Sequence, residues 1–163
     1  VDDYERWKIE LGVAVKMLGP GRIVKLQKRL VFLTLGAAVE VAPGRFRRLT
    51  GVIFLTPVDT GRARASWGVS IGPPELGKFP PPGEYSNPNP LDLTGGLAGL
   101  GPYQEVWVTS NLPYIRVLEY GGYPNPARGG EGKVSGGYSK QAPRGMVRVT
   151  FDQVKRVARE ITA

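Results

Sequence analysis

Apolar residues recur every three or four positions at Tyr4, Trp7, Leu11, Val15 and Leu18. That spacing lines one face of a helix and predicts a first helix over 2–18. Gly19, Pro20 and Gly21 stop it, because glycine supplies positive φ past a helix end and proline suits the first turn of the next helix. A second stripe, Ile23, Leu26, Leu30, Leu33, Ala37 and Val41, is backed by Arg22, Lys25, Lys28 and Arg29. Pro43 and Gly44 interrupt this stripe, but Phe46, Leu49, Ile53 and Thr56 nearly keep its phase, so the reading is one kinked helix over 20–56, ended by Pro57. The β-branched content of Leu30–Val41 supports a competing reading of that segment as a strand.

From Ala63 to Ile71 the period changes to two: Ala63, Ala65, Trp67, Val69 and Ile71 alternate with Arg64, Ser66, Gly68 and Ser70, which predicts a half-buried strand over 63–71. Residues 72–102 hold eight prolines and seven glycines in 31 positions and form a long irregular arm, with a short helical turn within Leu91–Leu100. Val106, Trp107 and Val108 mark a second strand, about 104–109, paired with the first. Trp67 and Trp107 are expected in the core or as a cross-strand pair. Pro113, Ile115 and Leu118 predict a short helix over 113–120, ended by Gly121 and Gly122, and a second irregular arm covers 121–143. Val147, Phe151, Val154, Ala158 and Ile161 then give the apolar face of a C-terminal helix, 145–162. The expected class is α+β in a single domain: long N-terminal helices and a C-terminal helix on a small antiparallel sheet, with two long Gly/Pro-rich loops.

Composition narrows the chemistry more than the fold. The 163 residues are 41% apolar and 22% charged, ordinary for a globular chain, whereas 23 glycines and 15 prolines are many. Cysteine and histidine are absent. The commonest zinc ligands, the thiol nucleophile and the usual near-neutral acid–base group are therefore missing. Asp2, Asp3 and Glu5 stand where a signal peptide is basic, and no 20-residue apolar stretch exists, so a soluble protein is expected. The net charge of +8 is uneven: residues 22–64 carry nine Lys/Arg against Glu40 and Asp59, a local excess of +7. Such a region suits phosphate or an acidic protein neighbour, and a nucleic-acid-binding module using residues 22–64 is the alternative function it raises.

No segment assembles a reactive constellation. Gly132–Lys133 lacks the frame of a phosphate-binding loop, since Ala127 and Val134 stand where glycine and Ser/Thr are needed. Asp59, Glu105 and Glu119 are single acids in turn, strand and helix contexts. No catalytic, cofactor-binding or metal-binding residue is expected. Thr56-Pro57-Val58-Asp59-Thr60-Gly61-Arg62 suits a tight helix-to-strand turn: proline halts the helix, Asp59 accepts backbone N–H groups and Gly61 takes positive φ. Arg62 and Arg64 then emerge on the strand's outer face.

Thr56–Trp67, TPVDTGRARASW, resembles the helix-to-strand junction of the siphophage tail-component family of neck, head–tail joining and tail-completion proteins. Val106–Gly121, VWVTSNLPYIRVLEYG, and Ser139–Thr150, SKQAPRGMVRVT, resemble that family's closing half, which is also similar to the minor tail protein Z of lambdoid phages. The three segments follow the family's order and cover about 40 of 163 residues. The chain departs from the pattern at Gly122–Tyr138, where members of the family often have almost nothing.

The resemblance implies a helix pair on a small sheet, assembled as a homo-oligomeric ring in the virion, in the neck or proximal tail, after folding in the host cytoplasm. Its implied partners are copies of itself, portal-side connector proteins and tail tube or tail terminator proteins, and the basic 22–64 region adds non-specific contact with DNA in the channel. It brings no enzymatic role and no membrane. The residues expected at interfaces are Arg62 and Arg64 beside the strand, Tyr85, Leu91, Tyr123 and Tyr138 in the arms, and Tyr114, Glu119 and Tyr120 around the short helix, with Glu119 set to pair with Arg62 or Arg64.

Overall fold

The computed structural model describes residues 19–122 and 132–162. The helix expected over 2–18 and the middle of the second arm, with Tyr123, lie outside the described residues. Where described, the chain is α+β. Its helices are α1 (Pro20–Leu35), α2 (Gly51–Leu55), α3 (Arg62–Ala65), α4 (Pro90–Leu93), α5 (Ile115–Tyr120) and α6 (Val147–Thr162). Its strands are β1 (Ala38–Ala42), β2 (Arg45–Arg48), β3 (Trp67–Ile71), β4 (Val106–Ser110), β5 (Val134–Ser135) and β6 (Tyr138–Ser139). They pair as three separate antiparallel ribbons, β1–β2, β3–β4 and β5–β6, in place of one sheet.

The kinked helix expected over 20–56 is not formed. α1 ends at Leu35, because Gly36 turns to φ +107° and closes it: the Gly36 N–H donates to Leu33 O (3.1 Å) and the Ala37 N–H to Phe32 O (2.8 Å). These two bonds make a Schellman stop, which only glycine accommodates without strain. Ala38–Ala42 then alternates exposed and buried residues, with Val39 and Val41 inward. Pro43–Gly44, read as a helix kink, is the hairpin turn, with Gly44 at φ +70°. The strand reading of Leu30–Val41 therefore holds only beyond Gly36. The phase of Phe46, Leu49 and Ile53 was coincidental, and Phe46 stands 66% exposed. At the hairpin's base the backbones of Gly36 and Gly51 touch. A Cβ on Gly51 would lie 2.2 Å from Gly36 N, and one on Gly36 would lie 2.4 Å from Thr50 O.

The ribbon β3–β4 pairs Trp67 with Ser110 and Ile71 with Val106. β3 starts at Trp67, four residues later than expected, because Arg62–Ala65 forms the helical turn α3. Trp67, Val69 and Ile71 face the core with Val106 and Val108, while Ser70 and Trp107 share the outer face. The two tryptophans are thus neither paired nor on one side: Trp67 is 5% exposed and Trp107 43%. The first arm carries α4 and a 3-10 turn, Thr94–Leu97, with Asn89 Oδ1 accepting the Leu91 N–H at 3.1 Å. Leu97 and Leu100 are buried in the same core, so the arm closes it.

α1 lies between two cores. Val31 and Leu35 join the cluster of Val52, Ile53, Trp67 and Leu112, whereas Leu33 joins Val39, Val41, Val154 and Val157. Residues two apart on a helix project on nearly opposite sides, so α1 has the β3–β4 ribbon on one side and α6 on the other. On α6 the buried positions are Thr150, Val154, Val157 and Ala158. Val147, expected on the apolar face, is exposed at the first turn.

Candidate assembly surface

Thr56 closes α2 and begins the turn to β3. Its hydroxyl donates to Val52 O (2.5 Å) and accepts the buried Trp67 Nε1–H (2.8 Å), which fixes the first core residue of the strand. Arg64 gathers the chain around this point: Nε donates to Thr56 O (2.9 Å), Nη2 to Phe54 O (3.1 Å) and Nη1 to Asn87 Oδ1 (3.0 Å). It satisfies carbonyls that the end of α2 would otherwise leave open. Partial burial pulls its guanidinium below the ordinary arginine value. Arg62 donates to Pro80 O (2.8 Å) and lies over Phe79 at 5.8 Å, pinning the first arm. Both arginines therefore sit on a helical turn and hold neighbouring backbone, where they were expected on the outer face of a strand.

Gly61 takes φ +79°, as expected of the turn, and a Cβ there would come 2.1 Å from Tyr85 O. Tyr85 is held by its own N–H to Thr60 O (2.8 Å) and its hydroxyl to Pro81 O (2.8 Å). Asp59 reaches outward to Lys133 (3.1 Å), and the Gln141 side chain clasps Val58 from both sides, accepting its N–H (2.8 Å) and donating to its carbonyl (3.0 Å).

Glu119 pairs with neither Arg62 nor Arg64. Only 5% exposed, its carboxylate caps α6 by accepting the N–H groups of Met146 (2.6 Å), Val147 (2.8 Å) and Arg148 (3.1 Å). Negative charge at these N–H groups also interacts favourably with the positive end of the helix dipole. Arg148 closes the pair with Nε to Glu119 Oε1 (3.1 Å) and Nη2 to Glu119 O (2.7 Å). Hydrogen bonding, first to Tyr138 and then to Glu119, raises the Arg148 guanidinium above its ordinary value. A Cβ at Gly145 would lie 2.5 Å from Glu119 O, so glycine is required there.

Of the remaining expected interface residues, Tyr120 stands exposed with Arg148 5.2 Å from its ring, Leu91 and Tyr114 are exposed, and Tyr138 packs against Gly121. The sequence reading missed Gln141 and Asn87, whose partners lie 83 and 23 residues away and leave no local signal. It also missed the exposed aromatics Phe46 and Tyr103. Tyr103 is the one non-glycine at positive φ among the described residues, at +64°. Among those residues no three acidic side chains gather as a metal site would need, and no helix is long and apolar enough to cross a membrane.

No protein-family model, curated protein or solved structure matches this chain.

Proposed function

We propose that this chain is a structural virion protein of a tailed bacteriophage, one subunit of a homo-oligomeric ring in the neck, at the head-to-tail joint or in tail completion. The observation that carries the reading is the meeting of the three stretches that resemble the siphophage tail-component family. Residues 56–67, 106–121 and 139–150 are far apart in the chain. They are joined by Ser66–Ser110 (2.6 Å), Val58–Gln141 and Glu119–Arg148. Likeness spread over unrelated surfaces would carry little weight. Likeness confined to one bonded unit behaves as a single structural signature.

In this unit the polar atoms hold main chain in place. Thr56, Arg64, Glu119 and Gln141 all bond backbone groups, which suits a docking scaffold. The partners in this reading are further copies of the chain, portal-side connector proteins and tail tube or tail terminator proteins. The ring assembles in the host cytoplasm, takes no cofactor and performs no catalysis.

A second reading, phosphate contact with DNA, is favoured by Arg22, Lys25, Lys28 and Arg29 on α1, whose side chains have no ion-pair or hydrogen-bond partner among the described residues. The rest of the basic 22–64 region is engaged internally: Arg45 and Arg47 pair with Glu160 at 3.4 and 3.2 Å, and Arg48 donates to Gly36 O. DNA contact is therefore secondary to assembly.

Loss of the chain from the phage that encodes it tests the main reading. Filled heads and separate, unattached tails are expected, or heads bearing incomplete tails. Intact infectious particles would overturn the proposal.

A further inference from the structure

We infer that two copies of this chain bind head to tail, the patch Tyr103, Glu105 and Trp107 of one copy docking on Arg144 and Arg156 of the next. This rests on the ring reading and names the surfaces that make the ring.

The first surface lies at the open end of the β3–β4 ribbon. The Glu105 carbonyl accepts the Gly72 N–H at 2.9 Å, extending the ladder by one step. Glu105 therefore stands two extended residues before Trp107 and projects to the same outer side. Trp107 is 43% exposed opposite the small Ser70, and Tyr103 is 60% exposed. Trp107 and Tyr103 are exposed aromatics of the types enriched at interfaces, and Glu105 adds a charge that a facing arginine can meet. The positive φ of Tyr103 is a backbone cost that no hydrogen bond of its own offsets among the described residues. The Glu105 carboxylate has no partner among the described residues.

The second surface is a cleft of about 380 Å³ along the exposed side of α6, lined by Arg144, Arg148, Val149, Asp152, Gln153 and Arg156. Arg148 is neutralised by Glu119. Arg144 and Arg156 have no side-chain partner among the described residues. Asp152 offsets one of them, leaving an excess of one positive charge to meet the single Glu105. Arginine suits both features of the facing patch, since its planar guanidinium pairs with carboxylate and stacks on aromatic rings.

The geometry makes the contact repeat. The patch is built on the outer face of the ribbon and the cleft on α6, and within one copy Glu105 pairs with neither Arg144 nor Arg156 among the described residues, which leaves the contact to a second copy. A patch that binds a different patch on the next copy is heterologous, and it generates a ring when the rotation closes.

Sedimentation of the full-length chain tests this with Glu105→Arg, Arg156→Glu and the two combined, each checked for an unchanged circular dichroism spectrum. The wild type is expected to self-associate, each single change to lower the association constant about tenfold or more, and the combination to recover most of the loss. Single variants that associate like the wild type, or a combination that recovers nothing, would overturn this interface and leave the ring reading standing. A wild-type chain that remains monomeric at every concentration would overturn both.

Discussion

The carboxylate of Glu119 and the guanidinium of Arg148 lock α5 to the first turn of α6, with the acid capping three backbone N–H groups and the base returning to the Glu119 carbonyl. Glu119→Ala leaves those groups without this partner, the Met146 N–H at a buried position. A loss of about 2–4 kcal/mol is expected from combining a lost cap with lost charge-assisted bonds. Denaturant titration measures it, and Glu119→Gln should fall between the two. A change within about 0.5 kcal/mol for Ala, the range of an ordinary surface substitution, would remove this pair from the account.

The two tryptophans should separate stability from assembly. Thr56→Val removes the acceptor of the Trp67 indole N–H in the core, and about 1–3 kcal/mol of stability should go with it. Trp107→Ala, on the outer face, should change unfolding of the isolated subunit by less than about 1 kcal/mol while weakening self-association. Paired unfolding and sedimentation measurements on both variants check the contrast.

Gly36 and Gly44 both have positive φ, yet they should respond differently to alanine. At Gly44 a Cβ meets nothing, so only the backbone penalty of about 1–2 kcal/mol applies. At Gly36 the Cβ would press into Thr50 O at 2.4 Å, and the hairpin must shift away from α2, costing several kcal/mol more. Thermal unfolding of the two variants should rank them in that order.

The basic face of α1 predicts modest, salt-sensitive DNA binding. Four side chains neutralise at most four phosphates, so the slope of log K against log salt should be no steeper than about −3.6. Fluorescence anisotropy on duplex DNA measures it. A steeper slope that persists after Arg22, Lys25, Lys28 and Arg29 are all changed to Gln would place DNA on another surface.

Local patterning announced what local physics controls. Ile23, Leu26 and Leu33 of the α1 stripe, the alternation from Trp67 along β3 and its pairing with Val106–Val108, the positive φ of Gly61 and the C-terminal helix were legible, whereas Val31 and Leu35, which face the ribbon core, lie off the expected stripe. The hairpin Ala38–Arg48 was not, because Val41, Phe46 and Leu49 happen to keep a helical phase, and the Schellman stop rests on the single glycine Gly36. In the arm 72–102 the helical turn within Leu91–Leu100 was legible, but the burial of Leu97 and Leu100 in the core was not. At the candidate site the sequence marked Arg62, Arg64 and Glu119 as notable but assigned them wrong neighbours. Their partners Pro80, Asn87 and Arg148 are fixed by tertiary contacts that no local spacing encodes.

Location in the particle tests the central claim most directly. Purified phage particles labelled with gold-conjugated antibody against this chain should carry the label where the tail meets the head, in negative-stain images. Label along the capsid faces or at the distal tail tip, or particles free of the chain, would contradict the account.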